Sequence, residues 1–127
     1  MSYFITKTIE TNFDEAIQKV TEALTKEGFG IVTDFNVSNA FKNKLGIDFR
    51  PYRVLGACNP PFAREAIDAE ENIGVLLPCN VVIQQKENEI IVSAVNPTST
   101  MEAVNNEKVS KVANKIHDKL KKVFEAL

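Results

Sequence analysis

Hydrophobic positions in this chain switch period several times, from two to 3.6 and back, and the switches divide it into elements. Tyr3, Ile5 and Ile9 fall at even spacing in Tyr3-Phe4-Ile5-Thr6-Lys7-Thr8-Ile9, the alternation of a half-buried strand. Asn12 then offers an N-cap with Glu15 three residues on, as in a capping box. Phe13, Ile17, Val20 and Leu24 recur at helical spacing with Ala16 and Ala23 beside them, and Gly28 stops the helix as a C′ residue. Alternation returns over Phe29 to Val37, with Ile31, Thr33, Phe35 and Val37 on one side and Asp34 and Asn36 on the other. A short helix is predicted next, capped by Ser38, with Phe41 and Leu45 one turn apart and Gly46 closing it.

Tyr52 to Cys58 is nearly continuous in apolar character, as a central strand would be. Asn59-Pro60 reads as a helix opening, Asn as cap and Pro at the first helical position, where a missing N–H costs nothing. Phe62, Ala63, Ala66 and Ile67 supply that helix's buried stripe. Ile73 to Gln85 is predicted as a further strand interrupted at Pro78, since proline cannot donate to a ladder and marks an edge, a bulge or an end. Glu87-Asn88 suits a hairpin turn into Ile90 to Val95, and the stretch from Pro97 to Asn105 reads as a polar connector. The last element is a long amphipathic helix. Val109, Val112, Ala113, Ile116, Leu120, Val123, Phe124 and Leu127 form its apolar face, and Lys108, Lys111, Lys115, Lys119, Lys121 and Lys122 its polar one.

This order predicts an α+β fold, a mainly antiparallel or mixed sheet with helices packed on one face. The other face then needs a cover, and a symmetric homodimer that stacks sheets or strand edges is the simplest one. No linker composition divides the 127 residues, so 1–127 reads as one domain. A chain of that length buries roughly two-thirds of its unfolded surface, enough for a core without staples. The net charge of -2 and the lack of a basic, aromatic-interleaved surface give no reason to expect nucleic acid. No apolar run approaches the length of a bilayer, and Met1-Ser2-Tyr3-Phe4 lacks the regions of a signal peptide. A cytoplasmic protein with no nucleic-acid and no membrane partner is therefore expected.

Candidate chemistry gathers between residues 50 and 80. Val54-Leu55-Gly56-Ala57-Cys58-Asn59 is echoed by Val75-Leu76-Leu77-Pro78-Cys79-Asn80, each apolar run reaching a cysteine and then an asparagine. All three arginines (Arg50, Arg53 and Arg64) lie in the same stretch. In a reducing compartment the two cysteines are expected as free thiols, and their spacing, with His117 the sole histidine, matches no zinc motif. No metal and no cofactor are expected. Cys58 stands just before the predicted helix start, where unpaired N–H groups and the helix dipole favour a thiolate. Its alternative is a thiol packed under the helix and protonated. The same helix start, with arginines nearby, suits an anion.

The ligand-binding candidates are thus Arg53, Cys58, Asn59, Cys79 and Asn80. Asn59 serves chiefly as a cap, Cys79 as a small buried hydrophobe, and Asn80 either holds a loop or reaches a ligand. The leading expectation is a small-molecule or anion-binding module for a small anionic or soft ligand. Arg53 would pair its charge, backbone N–H groups after Asn59 would bind it, and Cys58 would touch it. A thiol-dependent enzyme or redox protein is the alternative, with Cys58 as nucleophile and Cys79 as resolving thiol, which needs Cα atoms closer than about 7 Å. A scaffold or partner-binding domain using the open sheet face is the third. The sequence holds no Cys-His or Ser-His-Asp set, no phosphate-binding loop and no dinucleotide fingerprint, hence no complete catalytic set.

At these residues the chain resembles a known family, the prokaryotic domain of unknown function numbered 302. The matching stretches are Gly28-Phe29-Gly30 with the following strand, Lys44-Leu45-Gly46, Tyr52-Arg53-Val54-Leu55-Gly56-Ala57-Cys58-Asn59-Pro60 and Gly74-Val75-Leu76-Leu77-Pro78-Cys79-Asn80-Val81. The similarity runs from about Gly28 to Pro97, and the Gly-Ala-Cys-Asn-Pro and Leu-Leu-Pro-Cys-Asn strings carry it. Asp34-Phe35-Asn36 departs from the family, where an acidic residue is usually followed by an Ile-Asp pair, so chemistry resting on that pair would be missing. The resemblance implies an α+β domain likened to the TATA-box-binding-protein arrangement, a curved antiparallel sheet carrying helices. It implies no reaction, and it places the family's Cys-Asn pairs on Cys58, Asn59, Cys79 and Asn80. Likeness to a DNA-binding fold is not evidence of DNA binding, because function lives in sites.

Overall fold

Ten helices and strands, read in chain order from a computed structural model that describes residues 2–127, realise most of this pattern. They are β1 (Phe4–Ile9), α1 (Phe13–Lys26), β2 (Gly30–Asn36), α2 (Val37–Leu45), β3 (Tyr52–Cys58), α3 (Pro60–Ala69), β4 (Cys79–Lys86), β5 (Glu89–Val95), α4 (Pro97–Thr100) and α5 (Glu107–Glu125). Single 3-10 segments cover Glu71–Leu76 and Glu102–Val104. Every strand pairing is antiparallel, in the order β1-β5-β4-β3-β2, so the fold is α+β with one open five-stranded sheet.

The core forms where the two periods meet. Leu55 and Ala57 of β3, Val81 and Ile83 of β4, and Ile90, Val92 and Ala94 of β5 alternate onto one sheet face and are buried. Against them pack Ala16, Val20 and Leu24 of α1 and Val109, Val112, Ile116, Leu120 and Val123 of α5. The helix ends follow the sequence signals. Asn12 Oδ1 accepts from Glu15 N at 2.8 Å, and the Thr11 hydroxyl donates to the Glu15 carboxylate at 2.5 Å. Gly28 takes φ +87°, the left-handed stop that glycine adopts without penalty. Asn106 caps α5 by accepting from Lys108 N and Val109 N, while Lys7 Nζ donates to Phe124 O at 2.9 Å and Leu127 O at 2.6 Å at its other end. A cation there complements the negative end of the helix dipole.

Four segments differ from expectation. The alternation of β2 is broken by a register shift between Ile31 and Thr33, so Ile31 pairs with buried Ala57 while Thr33 and Phe35 pair with Gly56 and Val54 on the opposite face. The cap of α2 is Asn36, which accepts from Asn39 N at 3.1 Å. Ser38 instead donates to Arg50 O at 2.7 Å and accepts from Tyr52 N at 2.9 Å, tying the helix to the start of β3. The apolar run Ile73 to Leu77 is not strand: Glu70 accepts from Asn72 N, a 3-10 segment follows, and β4 begins only after the cis Leu77-Pro78 bond. Pro97 to Asn105 is structured as well, with Asn96 capping α4 and Met101 buried.

Candidate functional site

The ends of β3 and β4 bring the two cysteines together, though not as partners. Ala57 pairs with Cys79, so Cys58 lies one ladder position beyond that pair, beside Cys79 rather than opposite it. Neighbouring positions on a regular pleated strand alternate between faces, so the ladder gives the two cysteines no direct cross-strand pairing. Both are free thiols, Cys58 half-buried and Cys79 4 % exposed. They line a crevice of about 10 Å³ with Phe29, Ala63, Leu77 and Ile116, room for about one water and nothing larger. Burial, and secondarily the neighbouring Cys58, pushes the Cys79 thiol up to about 11, so it is protonated at neutral pH and a poor nucleophile. Iodoacetamide at neutral pH is therefore expected to add one group per native chain, on Cys58. A second adduct on Cys79 is expected only with denaturant, and intact-mass and peptide mapping would read it; native alkylation of Cys79 would contradict its burial.

Asn59 does not cap α3. Its side chain makes no bond to the helix start. Instead Nδ2 donates to Glu27 O at 3.1 Å, across 32 residues, and the side chain is buried beside Gly28. Asn59 thus joins the end of α1 to the β3–α3 corner. The helix start is also a poor anion receptor: Pro60 and Pro61 have no N–H, and Ala63 N is already bonded to Asn59 O at 2.9 Å. Of the early donors, Phe62 N alone is left.

Arg53 sits at the other end of β3 from Cys58 and holds Asp34 with two hydrogen bonds, of 2.8 and 2.7 Å. That bidentate contact holds the Asp34 carboxyl below the ordinary carboxylate range and raises Arg53 further. Its stabilisation is present at neutral pH and is lost as pH falls through the lowered Asp34 value. Arg64 is an exposed partner of Asp68 at 2.9 Å. His117 is packed on α5 with Nδ1 buried and unbonded. No cluster of metal-ligating side chains occurs among the described residues.

Asn80 lies elsewhere, on the sheet face that carries no core. Three cross-strand rows floor that face. One runs Thr6, Ser93, Val82, Val54, Phe35. The next includes Asn80, Gly56 and Thr33, with Phe4 opposite Val95 further along. The last runs Thr8, Ile91, Gln84, Tyr52. Over them lies a groove of about 370 Å³, lined by Tyr3, Phe4, Tyr52, Asn80, Val82, Gln84, Ser93 and Val95. No hydrogen bond engages the Asn80 carboxamide among the described residues. Beside it Thr33 and Pro78 close over Gly56, where a Cβ would strike Thr33 Oγ1 and come within 2.7 Å of Pro78 Cγ.

The groove's most distinctive neighbour is one the sequence named only in passing. Arg50 Nε donates to Gln84 Oε1 at 3.0 Å, and its guanidinium lies 4.4 Å from the Phe49 ring centroid and 5.5 Å from that of Tyr52. Phe41 extends this aromatic cluster, edge-on to Phe49 at 5.0 Å. Of the five sequence candidates, Cys58, Asn59 and Cys79 meet around the small crevice, Asn80 faces the groove, and Arg53 joins neither.

Among the described residues no helix is long and apolar enough to cross a membrane. None of the curated proteins compared with the chain matches it. The crystal structure of an uncharacterized conserved DUF302 protein from Bacillus stearothermophilus is similar throughout, with a TM-score of 0.93 over 99% of this chain and 98% of that one at 27% identity. The family model described as a domain of unknown function, DUF302, matches residues 5–127, well beyond the stretch from Gly28 to Pro97 that carries the motifs. With all but the first residue of β1 and every later element inside that match, the chain belongs to the DUF302 family.

Proposed function

We propose that this protein is a binding module that takes a small molecule into the groove on its open sheet face. The observation that carries the reading is the groove itself: about 370 Å³ over a face that no core helix covers. Sites for small molecules typically run from roughly 300 to 1,000 Å³, apolar in the main with a few placed polar groups. Tyr3, Phe4, Val82 and Val95 supply the apolar walls, and the Asn80 carboxamide and the Gln84 amide N–H groups supply the polar ones. By contrast, the crevice at Cys58 is too small for a ligand.

A neutral fluorescent amphiphile, N-phenyl-1-naphthylamine, tests the location. Titrated into 15N-labelled protein, it is expected to shift Asn80, Val82, Ser93 and Val95 saturably and to leave Ala113 and Leu120 unmoved. Ser93→Trp, which fills the floor, is expected to weaken binding about tenfold, or ~1.4 kcal/mol. Shifts confined to the helices, or none that saturate, would remove the groove from the argument.

A thiol-dependent activity is the second reading, favoured by the crevice that Cys58 and Cys79 share. The alkylation experiment decides its weight: two reactive thiols in the native chain would raise it, and one leaves Cys58 without a resolving partner. A homodimer in the present reading pairs away from the sheet face. Stacking sheets would occupy the groove and bury the Asn80 carboxamide, which has no hydrogen bond among the described residues. Sedimentation equilibrium should then give the same association for wild type and Ser93→Trp.

A further inference from the structure

We propose that the groove's ligand is a small amphiphilic anion, an apolar body carrying one compact oxyanion group that docks on Arg50. This rests on the groove reading and names the ligand class for it.

The three arginines are not equivalent. Arg53 is bound to Asp34 and Arg64 to Asp68, while Arg50 has no carboxylate partner among the described residues. Its Nε is engaged by Gln84 Oε1 at 3.0 Å, which leaves both terminal nitrogens of the guanidinium free to donate. Gln84 and Tyr52 both line the groove, and the guanidinium, bonded to the one and 5.5 Å from the ring centroid of the other, stands beside it.

The arginine is also pre-positioned. Its guanidinium carbon is held over the Phe49 and Tyr52 rings, and its backbone carbonyl is bonded to Ser38 on the first turn of α2. A guanidinium fixed in this way loses little freedom when it meets a ligand, and its fork suits a planar or tetrahedral oxyanion. The charge is unopposed within the site, because no acidic side chain lines the groove. The apolar walls then accommodate the rest of the ligand. Strongly hydrated inorganic phosphate would use the arginine and waste the walls, whereas a neutral apolar molecule would do the reverse.

Two probes with the same aromatic body separate these terms. 8-Anilinonaphthalene-1-sulfonate is N-phenyl-1-naphthylamine with a sulfonate added. Fluorescence titration of wild type, Arg50→Gln, Arg50→Lys and Ser93→Trp at low salt is expected to show the sulfonate bound about tenfold more tightly by wild type, as a charge-assisted contact implies. Arg50→Gln should abolish that preference and leave the neutral probe's affinity unchanged, which also reports that the variant is folded. Arg50→Lys, with the charge but not the fork, should fall between. Added salt should weaken only the sulfonate, and only where a cation remains. Inorganic phosphate should fail to compete at concentrations where octanoate does. Equal affinity of wild type for the two probes, or a sulfonate affinity indifferent to Arg50→Gln, overturns the anion assignment while blockage of both probes by Ser93→Trp keeps the groove. If Ser93→Trp blocks neither, the groove reading falls, and this inference with it.

Discussion

Gly56→Ala is expected to destabilise the fold more than any other single methyl added to this sheet, by about 3 kcal/mol, the upper part of the range for overpacking, and to lower the urea midpoint of unfolding accordingly. Gly56 lies in β3, with β2 on one side and β4 on the other. Its backbone needs no special conformation, so the constraint is space alone. A Cβ would meet Thr33 Oγ1 on the paired strand and Pro78 Cγ at 2.7 Å. Thr33 can turn its hydroxyl aside at the loss of its preferred rotamer. Pro78 cannot, because its ring is part of the backbone that leads into β4. The double variant Gly56→Ala/Thr33→Ala is therefore expected to recover part of the loss and not all of it. Gly30→Ala is the control, since nothing lies within 4 Å of a Cβ there. A midpoint for Gly56→Ala equal to that of Gly30→Ala would show that the strands simply part to admit the methyl.

That contrast also marks where the sequence stops being readable. Periodicity located α1 and α5 and their buried faces because each is long and amphipathic, and α1 also carries its own end signals at Asn12 and Gly28, all of them local. The hairpin of β4 and β5 was legible for the same reason, and with it the antiparallel sheet. Ile73 to Leu77 misled because a short apolar run has no period of its own, and Gly74 within it and Pro78 just after it favour a turn over a strand. The echo of Cys-Asn is a likeness of another kind. Its two copies occupy unlike positions, Cys58 ending β3 and Cys79 opening β4, so their likeness in sequence is not a likeness in structure. The groove was illegible altogether. Arg50 and Gln84 lie 34 residues apart, and only the register of β3 against β4 sets Gln84 beside Tyr52. Local rules assign a side chain to a face, but they cannot choose which neighbour it meets there.

Asn59 shows the same limit at one residue, and a charge substitution there gives the second large effect. A cap and a long-range tie both use its short polar side chain, and local sequence favours the cap. In the fold its Nδ2 donates to Glu27 O, at the carbonyl end of α1, where the helix dipole is negative. Asn59→Ala removes the buried donor from the Glu27 carbonyl and is expected to cost about 1–3 kcal/mol. Asn59→Asp should be worse at neutral pH, by ~3 kcal/mol or more, because it sets an anion against that carbonyl in a site that is 9 % exposed. The pH dependence then has a definite sign. Burial and the nearby carbonyl raise the folded value of the introduced acid above its unfolded value of about 3.9. The folded state holds its proton longer, so stability is greatest below that unfolded value, where the neutral acid can still donate to Glu27 O, and declines as pH rises through the raised folded value. A cap at the positive end of α3 predicts the opposite: a lowered acid value, and a variant as stable as wild type or more so at neutral pH. Urea unfolding of wild type, Asn59→Ala and Asn59→Asp across the acidic to neutral range separates the two. A difference between Asp and wild type that shrinks with rising pH would return Asn59 to the helix and release Glu27 from the tie.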